Sequence, residues 1–73
     1  MAQGNWFQRQ RYEWIGETLF VFGFINRDHL MRKFRISQPQ ASLDLRHYVS
    51  RNGSQIRYDT HRKCYIATFR EQP

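Results

Sequence analysis

One segment of the chain, residues 37–50, carries a regularly spaced set of polar and basic side chains. A helix over this segment turns these side chains outward, because successive residues advance by about 100° around a helix axis. Arginine can donate two hydrogen bonds to guanine, glutamine can pair with adenine, and leucine can contact the methyl group of thymine. The candidate base-reading residues are Gln38, Pro39, Gln40, Ser42, Leu43, Arg46 and His47. We expect the helix to enter the major groove of double-stranded DNA, with Arg46 on guanine and Gln40 on adenine.

The positive charge of the chain is unevenly distributed. The first 26 residues carry two arginines against two glutamates, so the whole net charge of +6 lies after Asn26. The pI is about 10.3, and clustered basic residues with a pI above about 9 are typical of a nucleic-acid-binding domain. Side chains that contact phosphates position a protein on DNA without reading its sequence. The candidates for such contacts are Arg27, Arg35, Ser37, Arg51, Arg57, His61, Arg62 and Lys63.

Other classes of function find little support in the residues. Cys64 is the only cysteine, and together with the three histidines it has no spacing typical of a zinc site. The sequence contains no nucleophile motif and no glycine-rich phosphate loop. We therefore expect a protein that is not an enzyme and that binds neither a cofactor, a metal nor a small molecule.

No segment indicates export or a membrane anchor. The first residues lack the apolar stretch and cleavage site of a signal peptide. The longest apolar run, residues 19–22, is far too short to cross a bilayer. We expect a cytoplasmic protein without membrane contact.

The elements that must position the candidate residues begin with a long helix, predicted over residues 6–22. Asn5 has the position of its N-terminal cap. Gly23 is expected to end the helix, and residues 24–25 then suit a short strand. The buried stripe of the helix consists of Ile15, Leu19 and Phe22.

A second helix is expected to follow Asn26, whose side chain can cap its free N–H groups. Asp28 lies in the first turn, where the helix dipole favours a negative charge. His29 is expected to be exposed. The buried face of this helix consists of Leu30, Met31 and Phe34.

The third helix carries the candidate base-reading residues. It follows a tight turn at residues 35–37 and starts with a capping box made by Ser37 and Gln40. An asparagine–glycine turn signal is expected to end it near Ser50. Its inward side is formed by Ala41, Leu45 and Tyr48.

A β-hairpin completes the predicted order of elements. Residues 55–58 and 64–69 are rich in residues that favour strands, and a polar loop at 59–63 lies between them. A helix, a short strand, two helices joined by a tight turn and a hairpin are the plan of a winged helix-turn-helix, an α+β fold. We expect all 73 residues to form one domain. Its parts are the helix-turn-helix at about 26–50 and the hairpin, or wing, at about 55–69.

The first helix carries more apolar side chains than a small three-helix domain can bury. Phe7, Trp14 and Val21 are spaced seven residues apart, and Trp6 and Phe20 lie farther round the helix. An apolar surface that stays exposed often marks a protein interface. We expect these five residues to form a homodimer interface, with a palindromic DNA site whose half-sites lie about 34 Å apart. The alternative is a winged helix that binds another protein through this helix.

Several segments of the sequence resemble one known family. NRDHLMRKFRIS at residues 26–37, followed by QPQASLDL at 38–45, resembles the N-terminal winged helix of bacterial WYL-domain transcriptional regulators, with its pattern VNRxDLxxRFGIS-xxQASxDLxxY. IRYD at 56–59 and KCYIAT at 63–68 are similar to the wing of that family, YDxxxKxYxAT.

The resemblance covers residues 9–69 and implies a bacterial or phage repressor that binds a palindromic operator as a dimer. It places the Gln-Ala-Ser of residues 40–42 at the start of the recognition helix. Leu43 stands where the family has a polar or basic residue. Arg35 replaces the usual turn glycine, so we expect Arg35 to adopt a positive φ.

A more distant resemblance connects Ser37, Asp44 and Leu45 with the SxxTxRRDL pattern of DeoR-type regulators. No ligand-sensing WYL domain follows the wing in this sequence. We expect either a domain of a longer regulator or a small stand-alone regulator, acting at the bacterial nucleoid or, for a phage protein, in the host cytoplasm. We assign no effector site.

Overall fold

The computed structural model describes residues 3–70 of the chain, with side chains from residue 6 to residue 69. Within these residues it contains three helices, a short strand and a hairpin in the predicted order, so the prediction of an α+β winged helix-turn-helix is confirmed. None of the helices described is long and apolar enough to cross a membrane. The elements are α1 (Gln3–Phe22), β1 (Phe24–Ile25), α2 (Arg27–Phe34), α3 (Gln38–Arg51), β2 (Ile56–Asp59), β3 (Cys64–Ala67) and a 3-10 helix (Thr68–Arg70).

Helix α1 starts earlier than the sequence predicts and ends where predicted. It begins at Gln3, so Asn5 lies within the helix, and the prediction that Asn5 caps it is wrong. The end is set by Gly23, which adopts a φ of 86°. Its N–H donates to the carbonyl of Leu19 at 2.9 Å. Glycine reaches this left-handed conformation without the steric cost that a side chain would add.

Helix α2 is capped by two reciprocal hydrogen bonds, of which the sequence indicated only one. The Asn26 side-chain oxygen accepts from the His29 N–H at 3.1 Å, and Nδ1 of His29 accepts from the Asn26 N–H at 3.2 Å. His29 is half-buried, and its ring lies 5.7 Å from that of Phe24, so the expectation that it is exposed is wrong. At the other end Arg35 adopts φ 55° and ψ 47°, which confirms the positive φ expected there.

Ser37 caps α3 as predicted, and its Oγ accepts from the Gln40 N–H at 3.2 Å. The reciprocal half of the predicted capping box is replaced by another contact. The Gln40 side chain donates from Nε2 to Oδ1 of Asp44 at 2.9 Å. The helix ends at Arg51, one residue later than expected, and Asn52 follows as its C-cap.

The three strands form one antiparallel sheet in the order β1–β3–β2. β2 and β3 form the wing, in which Tyr58 lies opposite Tyr65. The first strand of the hairpin is shifted by one residue from its predicted range of 55–58, because Gln55 belongs to the turn before β2. The second is two residues shorter than its predicted range of 64–69, because Thr68 and Phe69 belong to the 3-10 helix after β3. β1 pairs with β3, and this pairing fixes the wing against the end of α1.

The hydrophobic core receives side chains from all three helices and from the sheet. Its buried members are Ile15, Leu19, Ile25, Leu30, Ala41, Leu45, Ile56 and Ala67. The stripe predicted for α1 therefore holds for Ile15 and Leu19, whereas Phe22 is 66% exposed. Phe22 is the last residue of α1, and the chain reverses at the next position, so its side chain projects beyond the core.

A buried carboxylate joins the first helix to the third. Asp44 of α3 is fully buried, and its Oδ1 accepts a hydrogen bond from Nη2 of Arg11 in α1 at 3.1 Å. Nε of Arg11 donates to the second carboxylate oxygen, so the ion pair is bidentate. A buried charge is costly without a partner and is tolerated when it is paired and hydrogen-bonded. The sequence indicated no partner for Asp44, because Arg11 lies 33 positions away.

We predict that Asp44→Ala lowers the free energy of unfolding by about 3–5 kcal/mol, because it leaves the guanidinium of Arg11 without its partner. Urea denaturation followed by circular dichroism measures this loss. The double variant Arg11→Met, Asp44→Leu removes both charges and is expected to lose less. Glu17→Ala, which removes an exposed carboxylate of α1, is expected to lose under about 0.5 kcal/mol. An equally small loss for Asp44→Ala would contradict the structural role of the pair.

Candidate nucleic-acid interface

The exposed side of α3 is formed by residues that the sequence predicted to read bases. Pro39, Leu43 and Arg46 are exposed, and the helical repeat places them next to one another on the outer side. Leu43 keeps 38% of its surface accessible. Ser42 is half-buried because it faces α2 and the wing. Pro39, Leu43 and Arg46 therefore form an accessible side of α3, and Ser42 lies at its edge beside the wing.

A groove separates α3 from the wing and from the start of α2. It brings together three residues predicted to contact DNA, namely Arg27 of α2, Ser42 of α3 and Lys63 of the wing. The groove also contains two tyrosines that were not among the predicted functional residues, and they face each other across the hairpin with ring centres 4.9 Å apart. Pairing the two strand segments in register would have placed them on one face. The other lining residues are Asn26, Asp28, Leu45, Tyr58 and Tyr65.

Two arginines lie close enough to the groove for their charges to affect the pKa of one of its tyrosines. Burial raises the pKa of Tyr65, the charge of Tyr58 raises it further, and the positive charges of Arg46 and Arg27 oppose these effects. Arg27 also faces the first residue of α3. When the side-chain amide of Gln38 is oriented with its oxygen toward Arg27, this oxygen accepts hydrogen bonds from Nη1 and Nη2 of Arg27 at 3.2 and 3.1 Å. Helices α2 and α3 thus present cationic side chains to the same region.

Two other predicted base-reading residues, the half-buried Gln40 and the exposed His47, form hydrogen-bond contacts with other side chains of the chain. Nε2 of Gln40 is held by the buried carboxylate of Asp44. Nδ1 of His47 lies 3.2 Å from the hydroxyl of Tyr12 in α1. Burial and the charge of Asp44 raise the pKa of this hydroxyl. Both side chains therefore have partners within the chain, which their spacing along the helix did not indicate.

The tip of the wing is folded around Asp59. Its carboxylate accepts hydrogen bonds from the backbone N–H groups of His61 at 2.9 Å and Arg62 at 3.1 Å. Its carbonyl accepts from the N–H of Lys63 at 2.7 Å, and Lys63 has a positive φ of 56°. The side chains of His61, Arg62 and Lys63 are exposed, so the turn presents a cluster of basic groups.

The remaining residues predicted to contact phosphates lie outside the groove. Arg35 is exposed in the turn between α2 and α3, Arg51 is the last residue of α3, and Arg57 is exposed on β2. Ser37 uses its hydroxyl oxygen to cap α3. Its O–H can still donate to another group.

A second surface, which we call the α1 surface, carries the large exposed apolar side chains of α1 that were predicted to form a dimer interface. Four of the five residues predicted to form a dimer interface are more than half exposed, namely Trp6, Phe7, Phe20 and Val21. Trp14 differs, because it is half-buried with its ring 5.7 Å from that of Phe34 and Nζ of Lys33 6.0 Å from its ring centre. Helix α2 thus covers Trp14, which the seven-residue spacing predicted to be exposed at the dimer interface. Phe22, which was expected to be buried, is 66% exposed, and Phe24 of β1 is 44% exposed.

The order of the elements, the tight turn between α2 and α3, and the hairpin beside α3 define a winged helix-turn-helix domain. Residues 8–73 match the model of a family described as the BrxR transcriptional regulator winged helix-turn-helix domain, and the chain belongs to this family. This membership confirms the resemblance that the sequence showed to the winged helix of WYL-domain regulators.

Relatives from several bacteria carry the name DNA-binding transcriptional repressor CapW. The relative from Stenotrophomonas maltophilia is 44% identical over 64 residues, which cover 88% of this chain and 21% of the relative. The relative from Escherichia coli (strain KTE188) is 41% identical over 69 residues, which cover 94% of this chain and 23% of the relative. The chain therefore spans about a fifth of the length of these relatives.

We predict that the wing tip loosens when Asp59 is protonated. The N–H of Arg62, that of His61 and the nearby positive charges of Arg62 and Arg57 lower the pKa of Asp59 below its ordinary value of 3.8. A carboxylate whose pKa is lowered on folding stabilises the structure above its unfolded pKa. This stabilisation is lost as the pH falls through the folded value. Amide hydrogen-exchange protection at residues 61 and 62 is thus expected to fall below pH 3.8.

The matched control for this prediction is Asp59→Asn. The asparagine keeps an acceptor oxygen at the same position but does not titrate. Protection at residues 61 and 62 is then expected to be independent of pH over the same range. An identical pH dependence in the variant and the unsubstituted protein would assign the effect to another group.

Proposed function

We propose that the chain is a sequence-specific DNA-binding transcriptional regulator, acting as a repressor, that inserts α3 into the major groove. The observation that carries this proposal is the convergence of Arg27, Ser42 and Lys63, from three separate elements, on one groove beside the exposed side of α3. The net charge of +6 and the name of the relatives, DNA-binding transcriptional repressor CapW, support it.

The exposed side of α3 supplies the residues for base recognition. Arg46 carries paired donors that match N7 and O6 of guanine, and Leu43 offers an apolar surface to the methyl group of thymine. Gln38 and Pro39 lie in the first turn, from which recognition helices contact base edges. His47, whose ring is engaged by a hydroxyl of α1, flanks these contacts.

The groove receives the DNA backbone in this proposal. Arg27 and Lys63 bring two positive charges to it, and the hydroxyls of Ser42, Tyr58 and Tyr65 can each donate a hydrogen bond to a phosphate. If about five phosphates are neutralised, log K falls with log salt at a slope of roughly −4 to −5. The flanking backbone contacts are Arg35, Ser37, Arg51, Arg57, His61 and Arg62.

Selection from a pool of random duplexes at two salt concentrations tests the proposal as a whole. Enrichment of one motif, together with weaker binding at higher salt, supports sequence-specific recognition driven in part by phosphate contacts. Recovery of duplexes without a common motif would reject the sequence-specific reading of α3.

We predict that Arg46→Ala weakens binding to the selected site by about 1–3 kcal/mol and relaxes the preference at one base pair. Lys63→Ala is the matched comparison, since it is expected to weaken binding to all duplexes alike and to reduce the salt slope by about 1. Fluorescence anisotropy on a panel of singly substituted duplexes measures both effects. Arg9→Ala, which removes an exposed arginine of α1, is the control. An equal loss of affinity for all duplexes in Arg46→Ala would show that Arg46 contacts the DNA backbone instead of a base.

We propose further that the regulator binds a palindromic operator as a homodimer. The exposed side chains of the α1 surface are large and apolar, and removing such surface from water favours association. A dimer with two-fold symmetry presents two copies of α3 to half-sites about one helical turn, or ~34 Å, apart. The α1 surface supports this arrangement because its residues lie on the helix that does not carry the base-reading side chains.

We predict that Val21→Glu, which places a charge on the α1 surface, shifts the sedimentation coefficient toward that of a monomer. A charge at an apolar interface loses hydration without gaining a partner. Leu43→Glu is the control, because it changes an exposed leucine on α3 in the same way. Trp14→Ala is less informative, since Trp14 packs against Phe34 within the chain. Unchanged sedimentation of Val21→Glu would exclude the α1 surface as the dimer interface.

A further inference from the structure

The buried carboxylate of Asp44 has two partners, and only one of them is a charge. Its Oδ1 accepts from Nη2 of Arg11 at 3.1 Å and also from Nε2 of Gln40 at 2.9 Å. Gln40 lies one helical turn before Asp44 and in the first turn of α3. The same oxygen thus connects α1, the middle of α3 and a candidate base-reading side chain near the start of α3.

This contact fixes a side chain that is otherwise flexible. A glutamine has several freely rotating bonds, and ordering it costs conformational entropy. In the structure Gln40 is already held by a carboxylate that is itself fully buried. Its amide is therefore oriented in the free protein, and the entropic cost of ordering it is met before DNA binds.

The held amide still has the groups that adenine recognition needs. A glutamine reads adenine by donating from Nε2 to N7 and accepting at Oε1 from N6. Nε2 carries two hydrogens, so the bond to Asp44 uses one and leaves the other, together with Oε1. The carboxylate also determines the polarity, because it accepts only and so turns the NH₂ end of Gln40 toward the protein interior.

We infer that Asp44, oriented by Arg11, is a positioning residue that sets the base preference of Gln40. The inference rests on the proposed function. The side chain of Arg11 is only 14% exposed and belongs to α1, so it orients the Gln40 side chain indirectly, through Asp44. A residue of the first helix thereby governs the reading of one base pair by the third helix.

The consequence is a specific pattern of base preference. Gln40→Ala lowers the discrimination at one A·T pair of the selected site by roughly tenfold, the contribution of one bidentate contact. Arg11→Lys keeps the charge but loses the two-pronged geometry that fixes the carboxylate. It lowers discrimination at the same base pair and leaves the other positions unchanged. Gln40→Ala combined with Arg11→Lys is no worse at that position than Gln40→Ala alone.

The experiment measures competition binding of each variant against a panel of duplexes that covers every single substitution of the selected site. Arg9→Lys, a change of an exposed arginine on the same helix, is the matched control. Denaturation midpoints show whether each variant is folded at the temperature of the assay. NMR of the Gln40 side-chain NH₂ group without DNA gives a second readout, since Arg11→Lys is expected to change its two proton shifts and Arg9→Lys is not.

A purely structural role of Arg11 lowers the affinity for all duplexes equally and would overturn the inference. Loss of discrimination in Gln40→Ala with none in Arg11→Lys would show that Gln40 reads its base without this support. If Gln40→Ala has no effect while Arg46→Ala still relaxes one position, the positioning inference fails and the proposed function stands. If the unsubstituted protein selects no motif, the proposed function fails and the inference with it.

Discussion

The orientation of α3 depends on one buried carboxylate. Asp44 has lost its hydration, so its charge is tolerated only where hydrogen-bond donors reach both of its oxygens. In the observed rotation of α3, the guanidinium of Arg11 meets this requirement by donating to both oxygens. This rotation turns Ala41 and Leu45 into the core and leaves Leu43 and Arg46 in solvent. The polar pair and the core residues of α3 thus leave the same side of the helix exposed to solvent.

The backbone imposes a second constraint, because the elements are joined by very short connections. Gly23 and Arg35 both adopt positive φ values. The chain can therefore reverse direction between α1 and β1, and again in the turn between α2 and α3. For Arg35 this conformation carries a cost that glycine would avoid. The pairing of β1 with β3 then fixes the wing beside α3. The groove lined by Arg27, Ser42 and Lys63 results from these connections together.

The two exposed surfaces of the domain differ in chemistry because they come from different parts of the sequence. The excess positive charge lies after Asn26, and so around α2, α3 and the wing. Helix α1 contributes most of the large exposed apolar side chains. The same helix also supplies Arg11, so it connects the apolar surface with the orientation of α3. Trp6 and Phe7 of the α1 surface line the same pocket as Arg11, so this part of the surface lies beside the contact between α1 and α3.

The sequence by itself determined the features that depend on near neighbours. Asn26 and Ser37 as caps, Gly23 as a helix end, the positive φ of Arg35 and the three-helix-and-hairpin order all follow from local spacing and backbone preference. Only the tertiary structure decided which side chains meet across elements. Arg11 and Asp44 are 33 positions apart, and Tyr12 and His47 are 35 apart. Such contacts depend on how each helix is rotated against its neighbour, and local periodicity does not encode that rotation.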